Sequence, residues 1–295
     1  MDAGMAPQQV AAVRIWLAAV ILLAGAALVR PRALRLRRRD LPVLLAYGLV
    51  GVALVQLLYF VAVSRLPVGV AMLLEYTSPV LVTLWVRYVR HSVLPMAAWY
   101  GVILAMAGLI LVAEVWRGVA LNTVGLLAGL ATAACSAAYF LLGERGVADT
   151  DPIGLGTWGL VIGAVAMIPV SPPWAIQGKV LAAPTRFGAL HLPVWGLLVV
   201  MAVVATVLAY LASLAALRHL PPSVVSVGSL LEPVVAAALA WALLGQALSV
   251  TQVVGGVVLL AGALIVRLAG QPTLATEPAA DQTAMTVGTI IGRRR

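Results

Sequence analysis

"RLPVGV" at residues 65–70 returns as "HLPPSV" at 219–224, and that return decides the fold. A displacement of 154 residues carries Leu66 onto Leu220, Pro67 onto Pro221 and Val70 onto Val224. The same displacement carries Pro79 onto Pro233, Gly101 onto Gly255 and Gly108 onto Gly262. Matches of leucine and valine arise by chance in an apolar chain. Matched prolines and glycines at one offset, through two successive segments, do not. The chain is read as a duplication.

The duplicated unit belongs in lipid. Of 295 residues, 63% are hydrophobic and 10% charged, and the mean hydropathy is +1.08, outside the make-up of a soluble domain. A helix needs about 20 apolar residues to cross roughly 30 Å of hydrocarbon, and such runs recur along the chain. Nine spans are predicted: Ala12–Val29, Leu41–Ser64, Val68–Tyr88, Val93–Val115, Thr123–Leu142, Ile153–Val170, Leu192–Leu214, Pro222–Leu244 and Val250–Leu268. The first lacks a small-residue cleavage site and runs into the basic stretch at 30–40, so it is kept as a span and not as a signal peptide.

Five spans separate equivalent points. Five is odd, so equivalent helices run in opposite directions, the inverted-repeat arrangement of many secondary transporters. The expected fold is an all-α integral membrane protein. Residues 1–120 form a first repeat of four helices and 121–269 a second of five, with a polar tail at 270–295 to which no structure is given. The longest connection, Ser171 to Pro193, is rich in Pro and Gly. The helix that opens the second repeat has no counterpart, because the offset places it before residue 1. Two explanations compete, a start assigned too far downstream and a true nine-helix form. The first is preferred, because an N-terminus left outside without a preceding hairpin is awkward to insert.

Charge gives an orientation. If the basic run at 30–39 is cytoplasmic, alternation places 14 of the 19 Lys and Arg on that side and leaves Arg14, Arg65, Arg117, Lys179 and Arg186 outside. The C-terminus is expected in the cytoplasm. The net charge of +9 is then an orientation signal and not a nucleic-acid footprint. Trp116, Trp174 and Trp195 stand near span ends and read as interface anchors.

Enzyme chemistry has little to stand on. Cys135 is the single cysteine, so there is no disulfide framework. His91, His191 and His219 lie at span ends or in loops without metal-ligand spacing, and no phosphate cradle is present. No catalytic residue, metal or cofactor is assigned.

The chemistry concentrates in "AMLLEYTSP" (71–79), which puts Glu75 inside an apolar span. An ionised carboxylate at mid-membrane depth costs several kcal/mol, so Glu75 is expected to face the bundle interior, or to be protonated, or both. Glu232 lies on the repeat-equivalent helix just before Pro233. The two acids are not strict equivalents: Glu75 maps onto Ser229, and Glu232 onto Ser78. The competing reading is structural. The Pro79 ring blocks the carbonyl of Glu75, and the acid would cap freed backbone; Glu232 would similarly stabilise a bend. Substrate-binding or coupling residues are taken to be Glu75, Glu232, Tyr76, Ser78, Gln56, Tyr59, Tyr139, Ser136, Trp158, Tyr210 and Ser229. Hydroxyls and rings of this kind can meet an ammonium, a carboxylate and a side chain; interhelical hydrogen bonding is the alternative use for each. Glycine patterns at 125–134 and 255–262 indicate tight helix packing.

The stretch "YFVAVSRLPVGVAMLLEYTSPVLVTLW" (59–85) and its counterpart at 211–266, with Leu-Glu-Pro at 231–233 and a glycine-rich last helix, resemble the EamA-like family of the drug/metabolite transporter superfamily. The resemblance covers nearly all of residues 10–268. It implies ten helices in two inverted five-helix repeats. "LLEYTSP" (73–79) together with "AACSAAYFLLGER" (133–145) is most similar to the threonine/homoserine exporter branch. The family's Leu-Gly-Glu after the ninth helix is Leu244-Gly245-Gln246 here, so no role passes to Gln246. The resemblance implies a secondary transporter that exports small polar metabolites, amino acids first, from a bacterial cell across its inner membrane by alternating access. Proton coupling would run through the two acids. The partners are then a small-molecule substrate and the bilayer. The rivals are a multidrug or lipophilic-cation exporter and a non-transporting membrane scaffold or sensor.

Overall fold

A computed structural model describes residues 7–114, 122–172, 181, 184–187, 190–244 and 249–269. Among them the chain forms nine apolar helices. Eight are long and apolar enough to cross a membrane, and one is shorter. In chain order they are α1 (Pro7–Val29), α2 (Arg38–Val63), α3 (Val68–Val89), α4 (Met96–Ala113), α5 (Thr123–Asp149), the short α6 (Pro152–Met167), α7 (Val194–Leu217), α8 (Pro222 to Leu244) and α9 (Val250–Ala269). All nine predicted spans are present. The protein is a multi-pass membrane protein whose spans are helical and form two inverted repeats.

The starts of α5 and α6 follow from their caps. Asn122 Oδ1 accepts from Gly125 N at 3.0 Å, and Asp151 Oδ1 accepts from Ile153 N at 2.9 Å ahead of Pro152. Each cap satisfies a donor that the first turn leaves free. Helix α5 runs to Asp149, well beyond the predicted end at Leu142. Its last turns carry Glu144, which pairs with Arg90 at the end of α3. Polarity had marked this stretch as loop, but Gly143, Gly146 and Val147 are buried in it and it continues as helix.

Inversion of the repeats is visible in one contact. Helices α4 and α9 pack closely and antiparallel, glycine against glycine. A Cβ built on Gly101 would lie 2.8 Å from the Gly262 carbonyl oxygen, and one on Gly255 would lie 2.8 Å from that of Gly108. Under the 154-residue offset Gly101 becomes Gly255 and Gly108 becomes Gly262. Each contact is therefore the image of the other, which requires the two helices to run in opposite directions. Small residues allow this approach where the hydrophobic effect gives no drive between helices.

The repeats also share their irregularities. Helix α3 is helical over Val68–Glu75, turns at Tyr76 and Thr77, and resumes at Ser78. Helix α8 is helical over Pro222–Gly228, turns at Ser229 and Leu230, and resumes over Leu231–Leu244. The offset places one break on the other to within a residue. Pro79 and Pro233 follow the breaks, as expected for a ring that removes a donor and blocks the preceding turn. A π-helical stretch occupies Tyr47–Leu54 in α2 and Val203–Leu208 in α7, again at matching positions.

The largest buried cluster lies where α1, α2, α5, α6 and α7 meet, around Tyr47, Leu155, Leu160, Met167 and Leu214. Gly159 makes room for it, since a Cβ there would sit 2.5 Å from the Tyr47 ring. Trp16 fastens α1 to α6 by donating from Nε1 to the Ala164 carbonyl at 2.9 Å.

Two features differ from the sequence reading. The connection before α7 contains a short antiparallel hairpin, β1 (Pro184–Phe187) and β2 (Leu190–Pro193), with Pro184 opposite Pro193. Helix α1 starts at Pro7 and not at Ala12, which puts Arg14, counted with the outer charges, in its second turn. Trp195 is exposed in the first turn of α7. Trp116, Arg117, Trp174, Lys179, Gln246 and the tail from 270 lie outside the described residues.

Candidate functional site

The two helix breaks leave backbone groups without helical partners, and hydroxyls serve them. At the α3 break, Thr77 donates from Oγ1 to the Leu74 carbonyl at 2.6 Å and from its backbone N–H to the same oxygen at 3.1 Å. At the α8 break, Ser229 Oγ donates to the Ser226 carbonyl at 2.7 Å, and Ser226 Oγ to that of Ser223 at 3.1 Å. The Glu75 side chain makes no hydrogen bond or ion pair among the described residues. The hydroxyls thus serve the Leu74 and Ser226 carbonyls, and the Glu75 side chain takes no part in these bonds.

It lines a cavity of about 370 Å³ bounded by α1, α2, α3, α5, α7 and α8. That volume is at the small end of the roughly 300–1,000 Å³ usual for small-molecule sites. Of the residues predicted from sequence, Glu75, Glu232, Tyr76, Gln56, Tyr59, Tyr139, Ser136, Tyr210 and Ser229 line it together. Both breaks open onto it. Glu75 is half-buried, whereas Glu232, just past its break, lines the cavity and stays exposed.

An aromatic wall closes one side. The Tyr139 ring stacks on Tyr47 at 5.2 Å, meets Tyr210 edge-on at 5.5 Å and Phe140 at 5.0 Å. The π stretch of α2 reaches this wall through Gly51, where a Cβ would lie 3.1 Å from that of Tyr139.

Two predicted residues stand elsewhere. Ser78 is buried behind the lining and exchanges a 3.3 Å hydrogen bond with Ser136 Oγ. Trp158 does not line the cavity. It donates from Nε1 to the Leu34 carbonyl at 3.2 Å and so tethers the segment between α1 and α2 to α6.

The sequence reading did not place Arg14 in the site. Arg14 lines the cavity with the two glutamates. The signal was available. An arginine inside an apolar span is as costly as a glutamate there and points to function by the same rule. Its position near the outer end of the first predicted span, Ala12–Val29, had it counted with the outer charges. Gly51, Val55, Phe140, Ser213, Met72 and the small residues Ala205 and Ala209 complete the lining.

Comparison with known proteins gives these features a family. The threonine/homoserine exporter RhtA of Salmonella typhimurium (strain LT2) is 27% identical over 245 residues, which is 83% of this chain and 76% of that protein. RhtA of Escherichia coli (strain K12) is 28% identical over 245 residues, 82% of this chain and 76% of that one. YyaM of Bacillus subtilis (strain 168), an uncharacterized transporter, is 26% identical over 222 residues, 74% of this chain and 70% of that one. A solved crystal structure superposes with a TM-score of 0.71 over 91% of this chain and 90% of the other, and at 19% identity it speaks for the fold alone. The profile of the EamA-like transporter family matches residues 2–113 and 123–268. With both repeats matched, this chain belongs to the EamA-like transporter family.

Proposed function

We propose that the protein is a secondary transporter that exports small polar metabolites, amino acids first, across a bacterial inner membrane by alternating access. The observation that carries this reading is the cavity itself. It is lined by two glutamates on helices broken at matching points of two inverted copies. Discontinuous helices that meet at a central site are a recurring plan of such transporters. The paired π stretches add a second set of points at which the helices can adjust. Residues 1–120 and 121–269 are the units that rock about the cavity, and the C-terminal end of α9 faces the cytoplasm.

Small amino acids are the first candidates because RhtA is a threonine/homoserine exporter. A cavity of this size suits a small solute. Proton coupling would follow if Glu75 binds a proton facing one side and gives it up facing the other. The aromatic lining keeps a second reading in play, a lipophilic cation held by the tyrosines and a carboxylate. Reconstituted vesicles preloaded with threonine, homoserine or a cationic dye, at two pH gradients, decide between them. Saturable, gradient-driven efflux of the amino acids supports the first reading. Efflux of the dye alone supports the second, and no flux of either supports a scaffold.

A further inference from the structure

The charges in the cavity are not all of one sign, and this bears on what it accepts. Arg14 reaches the lining from α1, while Glu75 and Glu232 reach it from α3 and α8. Among the described residues Arg14 enters no ion pair, and its Nε is buried without a hydrogen-bond partner. A buried guanidinium nitrogen is a strong donor, and leaving it unmatched costs free energy unless something meets it. The glutamates share its cavity but lie beyond ion-pair distance of it among the described residues. One guanidinium and two carboxyl side chains thus line the same space.

We propose that Arg14 is the carboxylate-recognising residue of the transport site and makes the cavity selective for zwitterions over simple cations. The inference rests on the reading that the cavity is the transport site, and it adds the chemical form of the substrate. An α-amino acid presents a carboxylate and an ammonium on adjacent atoms. The planar guanidinium matches a carboxylate through two parallel N–H bonds, and a carboxylate on the far wall matches the ammonium. A lipophilic cation would satisfy the glutamates but would bring its charge toward Arg14 in a poorly solvated space, where like charges repel strongly. The same residue therefore attracts one class and rejects the other, which is how specificity is built against a competitor.

Wild-type protein in vesicles is tested first, with labelled threonine as substrate and threonine or threoninol, its carboxyl-reduced amino alcohol, as unlabelled competitor. Threoninol keeps the ammonium and both carbons of the side chain and lacks the anion. It is expected to compete roughly tenfold to a hundredfold more weakly, the range for losing a charged hydrogen-bonded pair. Arg14→Gln is then expected to raise the KM for threonine by a similar factor and to abolish the preference over threoninol. Arg14→Lys keeps the cation and is expected to restore part of the preference. Equal competition by threonine and threoninol in the wild type overturns the inference, whether or not any variant folds. So does an Arg14→Gln protein with unchanged KM and unchanged preference. In either case threonine flux itself still supports the transporter reading. Failure of the wild type to move any amino acid removes both.

Discussion

Glu75 and Glu232 line one cavity from helices that are copies of each other, yet they occupy different positions in the copy. The offset carries Glu75 to Ser229, which also lines the cavity, and Glu232 to Ser78, which is buried behind it. The scaffold is symmetric and the chemistry is not. A single substrate meets both copies at once, so nothing in inverted-repeat transport demands identical walls. One acid sits before its helix break and the other after it, and one is half-buried while the other is exposed. They are therefore expected to hold different parts of a substrate or different steps of the cycle.

The contact between α4 and α9 is tight enough to fail on one added side chain. Gly108→Leu would drive carbon into the Gly255 carbonyl, 2.7 Å from the position of a Cβ, and into the Leu259 backbone. A loss of about 1–3 kcal/mol or more is expected from overpacking, read as a lower thermal midpoint in detergent. Gly25 in α1 has nothing within 4 Å of a built Cβ. Gly25→Ala is expected to be neutral or to stabilise by up to about 1 kcal/mol, because the helix loses a flexible residue.

Trp158 gives a prediction opposite to its place in the sequence reading. Trp158→Phe removes the bond to the Leu34 carbonyl. It should cost about 1 kcal/mol of stability and leave substrate preference in the vesicle assay unchanged. A changed preference would return Trp158 to the site.

Much of this was legible in the sequence, and the reasons differ by feature. Span positions follow from the length of apolar runs, the duplication from the matched Pro and Gly pairs, and the inversion from the odd number of spans between them, because all are one-dimensional signals. Glu75 and the polar set around it stood out against an apolar background. Arg14 did not, because charge near a helix start is ambiguous until the bundle closes around it. Trp158 was misplaced for the converse reason. A polar aromatic ring in a span can face a cavity or tie down a loop, and only the position of Leu34, many residues away, decides which. The end of α5 depended on the burial of Gly143, Gly146 and Val147, which local polarity cannot report.

Orientation is open to labelling. With Cys135 replaced by serine, single cysteines at Arg38 and Arg90 should react with an impermeant maleimide only from the cytoplasmic side. One at Ser64, at the opposite end of α2, should react only from the outside. Arg38 and Ser64 are exposed and Arg90 is half-buried, so a missing reaction at the first two reports sidedness and not burial. The reverse pattern would invert the proposed topology and turn the exporter into a question of direction.

The aromatic wall is expected to shape the site more than to carry charge. Tyr139 touches Tyr47, Phe140 and Tyr210 at once. Tyr139→Ala should cost about 3–5 kcal/mol, as for a large aromatic removed from a packed cluster. Tyr139→Phe should keep stability to within about 1 kcal/mol. Thermal unfolding of the two purified variants separates these outcomes.

The most direct test is threonine efflux from vesicles carrying wild-type protein or Glu75→Gln, measured with and without an opposing pH gradient. The wild type is predicted to show saturable efflux that the gradient accelerates. The variant, with similar shape and no titratable group at that position, is predicted to lose most of the flux and all of its response to the gradient. Undiminished flux with an unaltered pH response in the Glu75→Gln protein would contradict the account at its centre.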